Sequence, residues 1–221
     1  YLELKATQLE AHLKQQLAPV YLLSGEEPLQ IDQSITLIRN HARQQAYTER
    51  QVLHAERGFD WRQLTEQSSN MSLFGDKKIL ELRLPSGKPG TAGAKALQEY
   101  SQQPAEDVLL IINSGKLEKA ALNSKWVKAL TQIGVQIRIW PLTGMELIQW
   151  LQARLRAEGL AGDRASAEYL ASRVEGNMLA AAQEIEKMAL LAIDSETTTE
   201  AWFADQSKYT VFDLVDAILR G

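Results

Sequence analysis

The chain has 221 residues, of which 45% are hydrophobic and 24% are charged, a composition typical of a globular protein with one large domain or two smaller ones. It contains no cysteine, which excludes disulfides and thiolate metal sites. Its net charge of −4 is unlike that of a protein that binds DNA tightly by itself, so any nucleic-acid contact is expected to be local or shared with partners. No apolar run is long enough to cross a bilayer and the first residues do not resemble a signal peptide, which predicts a cytoplasmic protein without membrane contact.

The first part of the chain alternates between two kinds of apolar pattern. Short continuous apolar runs predict strands, and apolar residues at helical spacing predict the helices between them. The strands are expected near 19–25, 51–55, 78–84, 107–113 and 135–140, and the helices near 7–17, 28–45, 61–64, 94–102 and 124–130. The Gly- and Pro-rich stretch 85–93 predicts a loop. The alternation predicts a three-layer α/β domain with a mostly parallel sheet over residues 1–140.

After Pro141 no strand pattern appears. Apolar residues at helical spacing predict helices at 144–158, 163–175 and 177–192, with a short fourth one at 199–203. These define a small helical domain over residues 141–210. The last residues, 211–221, begin another strongly apolar helix with little visible to pack on. Either this helix docks on the second domain, or the chain is a fragment of a longer protein.

The segment Asn70-Met71-Ser72-Leu73-Phe74 lies between a predicted helix and a predicted strand. Gly and Asp follow it, so the backbone is expected to bend just after the Leu-Phe pair. Such a pair can fold back onto the core of its own domain or insert into a pocket of another protein. The composition alone favours the core, because apolar residues are usually buried in their own chain.

The pattern of an α/β domain followed by helices suggests a nucleotide-binding ATPase, but the residues for that chemistry are missing. A phosphate-binding loop needs small residues, a Lys and a Ser or Thr after the first strand. Here Gly25 is followed by Glu26 and Glu27, whose carboxylates would repel a triphosphate. The central strand is followed by Asn113 and not by a carboxylate that could hold magnesium. We therefore expect no ATP hydrolysis and no bound cofactor.

Other polar residues predict no catalytic or metal site. His12, His41 and His54 are scattered without ligand-like spacing, and no nucleophile and base pattern can be proposed. Lys116 and Lys119 begin a cluster of lysines that is compatible either with an exposed helix edge or with a surface that faces DNA.

Several stretches together resemble the delta subunit of the bacterial DNA polymerase III clamp loader, and the resemblance covers almost the whole chain. The resemblance rests on their order and spacing together. They are Tyr21-Leu22-Leu23-Ser24-Gly25-Glu26-Glu27-Pro28-Leu29, Met71-Ser72-Leu73-Phe74, Leu109-Leu110-Ile111-Ile112 with Lys116-Leu117, and Val174-Glu175-Gly176-Asn177-Met178-Leu179-Ala180.

The resemblance implies an AAA+-like fold with a degenerate nucleotide site, a helical lid-like domain, and a collar domain of which residues 211–221 are the start. It implies a non-catalytic component of the DNA polymerase III holoenzyme, a nucleotidyltransferase assembly that replicates DNA. The implied partners are the ring-shaped sliding clamp (the beta subunit), the other subunits of a hetero-pentamer, and primed DNA through the assembly.

The resemblance also gives the segment 70–74 a role in binding and opening the sliding clamp. Clamp-binding peptides end in Leu-Phe, which Leu73 and Phe74 match, with Met71 and Ser72 before them and Asn70 where Gln is commonest. Two alternatives remain open. One is an adaptor of a different AAA+ assembly in which Leu73 and Phe74 are core residues, and the other is an active nucleotide hydrolase.

Overall fold

The computed structural model describes residues 2–69, 77–174 and 176–194. The chain divides into two compact units, Tyr1–Trp140 and Pro141–Gly221, and each is described by itself. The predicted short helix at 199–203, the rest of the helical domain up to 210 and the collar segment 211–221 lie outside the described residues. No helix in the described ranges is long and apolar enough to cross a membrane.

The first unit is built on one six-stranded sheet in the order β1-β6-β2-β5-β4-β3. All five strand pairings are parallel, so the predicted α/β class with a parallel sheet is confirmed. The strands are β1 (Leu2–Leu4), β2 (Val20–Gly25), β3 (Tyr47–His54), β4 (Lys77–Leu84), β5 (Val108–Ser114) and β6 (Val135–Ile139).

Helices cover both faces of this sheet, which makes three layers. A short 3-10 turn, Ala6–Gln8, precedes the first helix. The helices of this unit are α1 (Leu9–Gln15), α2 (Pro28–Gln44), α3 (Arg62–Ser69), α4 (Gly90–Gln102), α5 (Lys119–Leu122) and α6 (Lys125–Ile133). Successive residues of a strand point to opposite faces, so the central strands feed two separate cores. In β2, Tyr21 packs with α1 and α2, and Leu22 packs with α3, α4 and α6.

Four local differences from the sequence prediction have physical reasons. β3 begins at Tyr47 and not near residue 51, because this edge strand alternates buried and exposed residues weakly. β1 and α5 are only three and four residues long and carry no periodic signal. α4 begins at Gly90, inside the predicted loop. The glycines that predict a loop there include Gly93, which the helix needs for a close contact, since a Cβ at this position would lie 2.3 Å from Cζ2 of Trp61.

The described part of the second unit, up to residue 194, contains three helices, α7 (Gly144–Ala157), α8 (Arg164–Val174) and α9 (Met178–Asp194), within two residues of the predicted ranges. Leu151, Leu155 and Leu170 form the buried sides of α7 and α8. Asp163 caps α8, because its Oδ1 accepts a hydrogen bond from the backbone N–H of Ser166 at 2.8 Å.

His12 provides a test of the packing of α1 on the sheet. Its ring is buried and its Nε2 lies 3.2 Å from the hydroxyl of Tyr21. Burial lowers the pKa of His12 below its ordinary value of 6.5, because the charged imidazolium is poorly solvated there. Burial also raises the pKa of Tyr21 to about 12.

A folded-state pKa below the unfolded value means that the unfolded chain binds more protons in the window between the two values. Stability is therefore expected to fall as the pH drops through 6.5 toward the lower folded-state pKa of His12, by at most about 1.4 kcal/mol per pH unit. Urea unfolding of wild type and His12→Gln from about pH 7.5 to about pH 5.5 measures this. His41 and His54 are present in both proteins, so the difference between the two slopes isolates His12. Equal slopes would contradict the prediction.

Candidate functional site

The turn between β2 and α2 is the position where a phosphate-binding loop is expected, and here a carboxylate fills it. Glu27 is the N-cap of α2, with Pro28 as the first helical residue, and its side chain is 7% exposed. Its Oε1 accepts a hydrogen bond from the backbone N–H of Leu29 at 3.3 Å. A helix N-terminus attracts anions, so the chain supplies its own anion where a bound phosphate would lie.

The neighbouring carboxylate is engaged as well. Oε2 of Glu26 lies 3.0 Å from Nζ of Lys116, which follows β5, so an ion pair connects the ends of two adjacent strands. The hydrogen bond with Glu26 raises the pKa of Lys116, and the lysine remains charged. Both side chains are about half exposed, so the pair contributes little stability. The pair matters for ligand binding, because Lys116, the cation that could have contacted a phosphate, already has a carboxylate partner.

The end of β5 offers no carboxylate that could hold magnesium. Asn113 and Ser114 are its last residues, and Ser114 is buried with its hydroxyl donating to the carbonyl of Gly115 at 3.0 Å. Gly25, at the end of β2, is required by packing, since a Cβ there would lie 1.9 Å from the carbonyl oxygen of Ile139. No group of three or more His, Cys, Asp or Glu in the described part of the chain could hold a metal ion.

The remaining polar residues singled out in the sequence are dispersed. His12 is bonded to Tyr21, Nδ1 of His41 lies 3.3 Å from the carbonyl of Leu37, and His54 is exposed at the end of β3. Lys119 is exposed at the start of α5, near Lys116 in the chain. A DNA-facing role for these two lysines stays a prediction.

The predicted clamp-binding residues Asn70, Met71, Ser72, Leu73 and Phe74 lie outside the described residues. Both elements that flank them are described and fixed in the first unit. α3 ends at Ser69 and is anchored by Leu64, which is completely buried, and β4 begins at Lys77 and pairs with β3 and β5.

Lys78 connects these two flanking elements, and the sequence did not single it out for this role. Its side chain is 8% exposed, and its Nζ donates to the backbone carbonyl of Gln67 in the last turn of α3 at 3.3 Å. Its backbone N–H donates to the carbonyl of Asp107 at 2.8 Å. A cation near a helix C-terminus satisfies carbonyls that have no partner within the helix. Lys78 therefore holds the end of α3 against the start of β4, on either side of the 70–76 segment.

Replacing Lys78 by methionine is expected to lower the free energy of unfolding by about 2 kcal/mol, because a hydrogen bond from a charged group is lost in a buried position. Lys77→Met is a matched control, since the half-buried side chain of Lys77 places Nζ over the ring of Tyr47 at 5.2 Å and makes no hydrogen bond to α3 among the described contacts; such a cation–π contact contributes about 1 kcal/mol. Urea unfolding of both variants measures the difference. If both variants lose the same free energy of unfolding, the hydrogen bond from Lys78 to Gln67 does not stabilise the fold more than the contact of Lys77 does.

Comparisons with known proteins identify the class of this chain and then its family. Its fold is shared with the Holliday junction branch migration motor RuvB of Thermotoga maritima, with a TM-score of 0.55 at 14% identity over 89% of this chain and 64% of that one. It is also shared with the DNA clamp loader delta protein of Bacillus subtilis, with a TM-score of 0.64 at 20% identity over 89% of this chain and 60% of that one. The chain thus shares the AAA+-like fold of these two proteins.

Residues 21–139 match the family described as DNA polymerase III, delta subunit. The chain is 33% identical over 217 residues to DNA polymerase III subunit delta of Escherichia coli K12, and 32% identical over 220 residues to that of Haemophilus influenzae Rd. The chain belongs to the DNA polymerase III delta subunit family. It is covered to 97% in both alignments but spans only 63% and 64% of the length of these two relatives.

Proposed function

We propose that this chain is the part of a clamp-loader subunit that binds and opens the ring-shaped sliding clamp during DNA replication, without hydrolysing ATP itself. The observation that carries the proposal is membership of the delta subunit family, which covers residues 21–139. The chemistry of the sheet edge supports it, because Glu27 and the Glu26–Lys116 pair occupy the positions where a nucleotide phosphate would bind. The protein then acts as a non-catalytic component of the DNA polymerase III holoenzyme.

The contact with the clamp is proposed to be made by Met71, Leu73 and Phe74, which enter an apolar pocket on one clamp protomer. Ser72 separates the anchors and Asn70 offers an amide for a polar contact. Burying side chains of this size yields roughly 1.5–3 kcal/mol each. Part of this is lost to the cost of association, so neighbouring residues must add contact area. The fixed ends of α3 and β4 support the proposal, because a segment that starts from fixed ends loses less conformational entropy on binding.

Ring opening in this proposal needs no chemistry in this chain. A subunit that binds the clamp more tightly in its open shape than in its closed shape shifts the clamp toward the open one by that difference in affinity. The other subunits of a hetero-pentameric loader bind and hydrolyse ATP, and primed DNA is reached through the assembly. A cytoplasmic location fits this role.

The test is a calorimetric titration of the purified protein with the sliding clamp of the same organism, with a parallel titration with ATP and magnesium. We expect micromolar or tighter binding of the clamp and no saturable binding of ATP at millimolar concentration. A folded protein that does not bind the clamp would overturn the proposal in favour of an adaptor role. Saturable binding of ATP would instead support the nucleotide hydrolase.

A further inference from the structure

An open groove of about 510 Å³ lies at the carboxyl edge of the sheet, where the chain leaves β3 and β4. It is separate from the predicted clamp-binding segment, which connects to the opposite, amino-terminal end of β4. Its volume is in the range of sites that bind small molecules or parts of a polymer. Residues from the two loops line it, among them Arg57, Phe59, Trp61, Pro85, Lys88 and Pro89.

Two aromatic side chains form a fixed part of the groove wall. The rings of Phe59 and Trp61 are perpendicular, with centroids 5.2 Å apart, and both pack on the core under the sheet edge. The indole lies so close to α4 that only a glycine fits at position 93. Both rings are partly exposed. The aromatic surface is therefore formed before any ligand arrives, so little entropy is lost when a flat group stacks on it.

Two cations line the same groove, and neither forms an ion pair with any of the described residues. Arg57 and Lys88 are both exposed. Two other cations of the same unit are neutralised, since Arg62 pairs with Asp60 at 2.7 Å and Lys116 pairs with Glu26 at 3.0 Å. The lining includes a single carboxylate, that of Glu56, so the groove has a net positive charge within an acidic protein.

We propose that this groove binds single-stranded DNA. Aromatic side chains on which bases stack, next to cations that contact phosphates, are the combination by which proteins bind single strands without sequence preference. Exposed base faces exist only in a single strand, so duplex DNA would use the cations but not the rings of Phe59 and Trp61. An acidic peptide would likewise leave the rings without a flat partner. The inference does not depend on clamp binding.

The experiment measures fluorescence anisotropy of a labelled oligo-dT strand with the purified protein at several salt concentrations. Wild type is compared with Arg57→Ala/Lys88→Ala, and with Lys14→Ala/Arg43→Ala as a matched control that removes two exposed cations of α1 and α2. We expect the groove variant to bind at least about tenfold more weakly at low salt. Its plot of log K against log salt should be shallower by about 1.4, since each lost phosphate contact on a single strand contributes about 0.7. The control should match wild type.

A second arm changes the ligand and leaves the protein intact. An abasic strand of the same length keeps the phosphates and removes the bases, and we expect it to bind about tenfold more weakly than oligo-dT because stacking is lost. The proposal is overturned if wild type does not bind oligo-dT or if both double variants lose affinity equally. It is also overturned if the abasic strand or an acidic peptide of equal charge binds as well as oligo-dT, since the groove would then recognise charge alone.

Discussion

Replacing Leu73 and Phe74 together by alanine is expected to weaken binding of the sliding clamp at least about 100-fold. Two anchors that each contribute roughly 1.5–3 kcal/mol when buried represent a loss of about 3–6 kcal/mol. Every 1.4 kcal/mol corresponds to a factor of ten in the dissociation constant, so the lower end of this range already exceeds two powers of ten. Calorimetric titration with the clamp measures the affinity of each protein.

The same variant distinguishes the two interpretations of this segment. If the pair binds a partner, the thermal unfolding midpoint of the free protein should stay unchanged or rise, because two exposed apolar side chains have been removed. If the pair is part of the core, each truncation should cost about 2–5 kcal/mol of stability, and the variant would unfold at a much lower temperature.

A matched control for this variant replaces two other large apolar side chains. Leu179 and Leu190 are exposed on α9, with 49% and 69% of their surface accessible. Leu179→Ala/Leu190→Ala should bind the clamp as wild type does. Equal losses of affinity in the two double variants would contradict a specific role for Leu73 and Phe74.

The parts of the fold that sequence reasoning predicted are those with a strong period or a long apolar run. β2 and β5 are buried on both faces and appear as continuous apolar runs, so their positions were predicted to within one residue. β3 lies at the edge of the sheet and exposes much of its length, so half of it was missed. The sequence predicts a loop at Gly93, because the contact of this glycine with Trp61 depends on a residue from another element.

Only part of the candidate site could likewise be predicted from the sequence. The absence of a phosphate loop could be read from residue types alone, since Glu26 and Glu27 stand where small residues and a lysine are needed. The contacts that these carboxylates make could not be predicted from the sequence. The hydrogen bond from Leu29 and the ion pair with Lys116 depend on how β2, β5 and α2 are arranged in space. Lys78 also gave no signal, since its partner in α3 is recognised only from the distance between them.

Glu81 is the residue whose replacement is expected to cost the most stability among the described charged groups. It lies in the inner strand β4 with its side chain only 5% exposed, on the face that α2 covers. Arg50 of β3 binds it with two hydrogen bonds of 2.7 and 2.8 Å, and Arg39 of α2 approaches to 3.5 Å. The hydrogen bonds with Glu81 raise the pKa of Arg50. The buried carboxylate therefore joins one helix and two strands.

Glu81→Ala is expected to lower the free energy of unfolding by about 3 kcal/mol. Removing one member of a buried ion pair typically costs about 3–5 kcal/mol, because the remaining charge is left without a partner. The lower end applies here because the side chain of Arg50 is 37% exposed and can reach water, whereas that of Arg39 is only 19% exposed. For a protein of this size the loss corresponds to a fall of about 10 °C in the unfolding midpoint.

The control for this change is Glu49→Ala, which removes an exposed carboxylate from β3 and should alter stability by less than about 0.5 kcal/mol. A triple variant, Arg39→Leu/Arg50→Leu/Glu81→Leu, separates the cost of unpaired charge from the value of the network itself. Replacing a whole buried ion-pair network by apolar residues is often neutral or stabilising, so the triple variant should recover most of the stability lost in Glu81→Ala. If it is as unstable as Glu81→Ala, the hydrogen bonds of Glu81 stabilise the fold directly, and the arginines left behind are not the main cost.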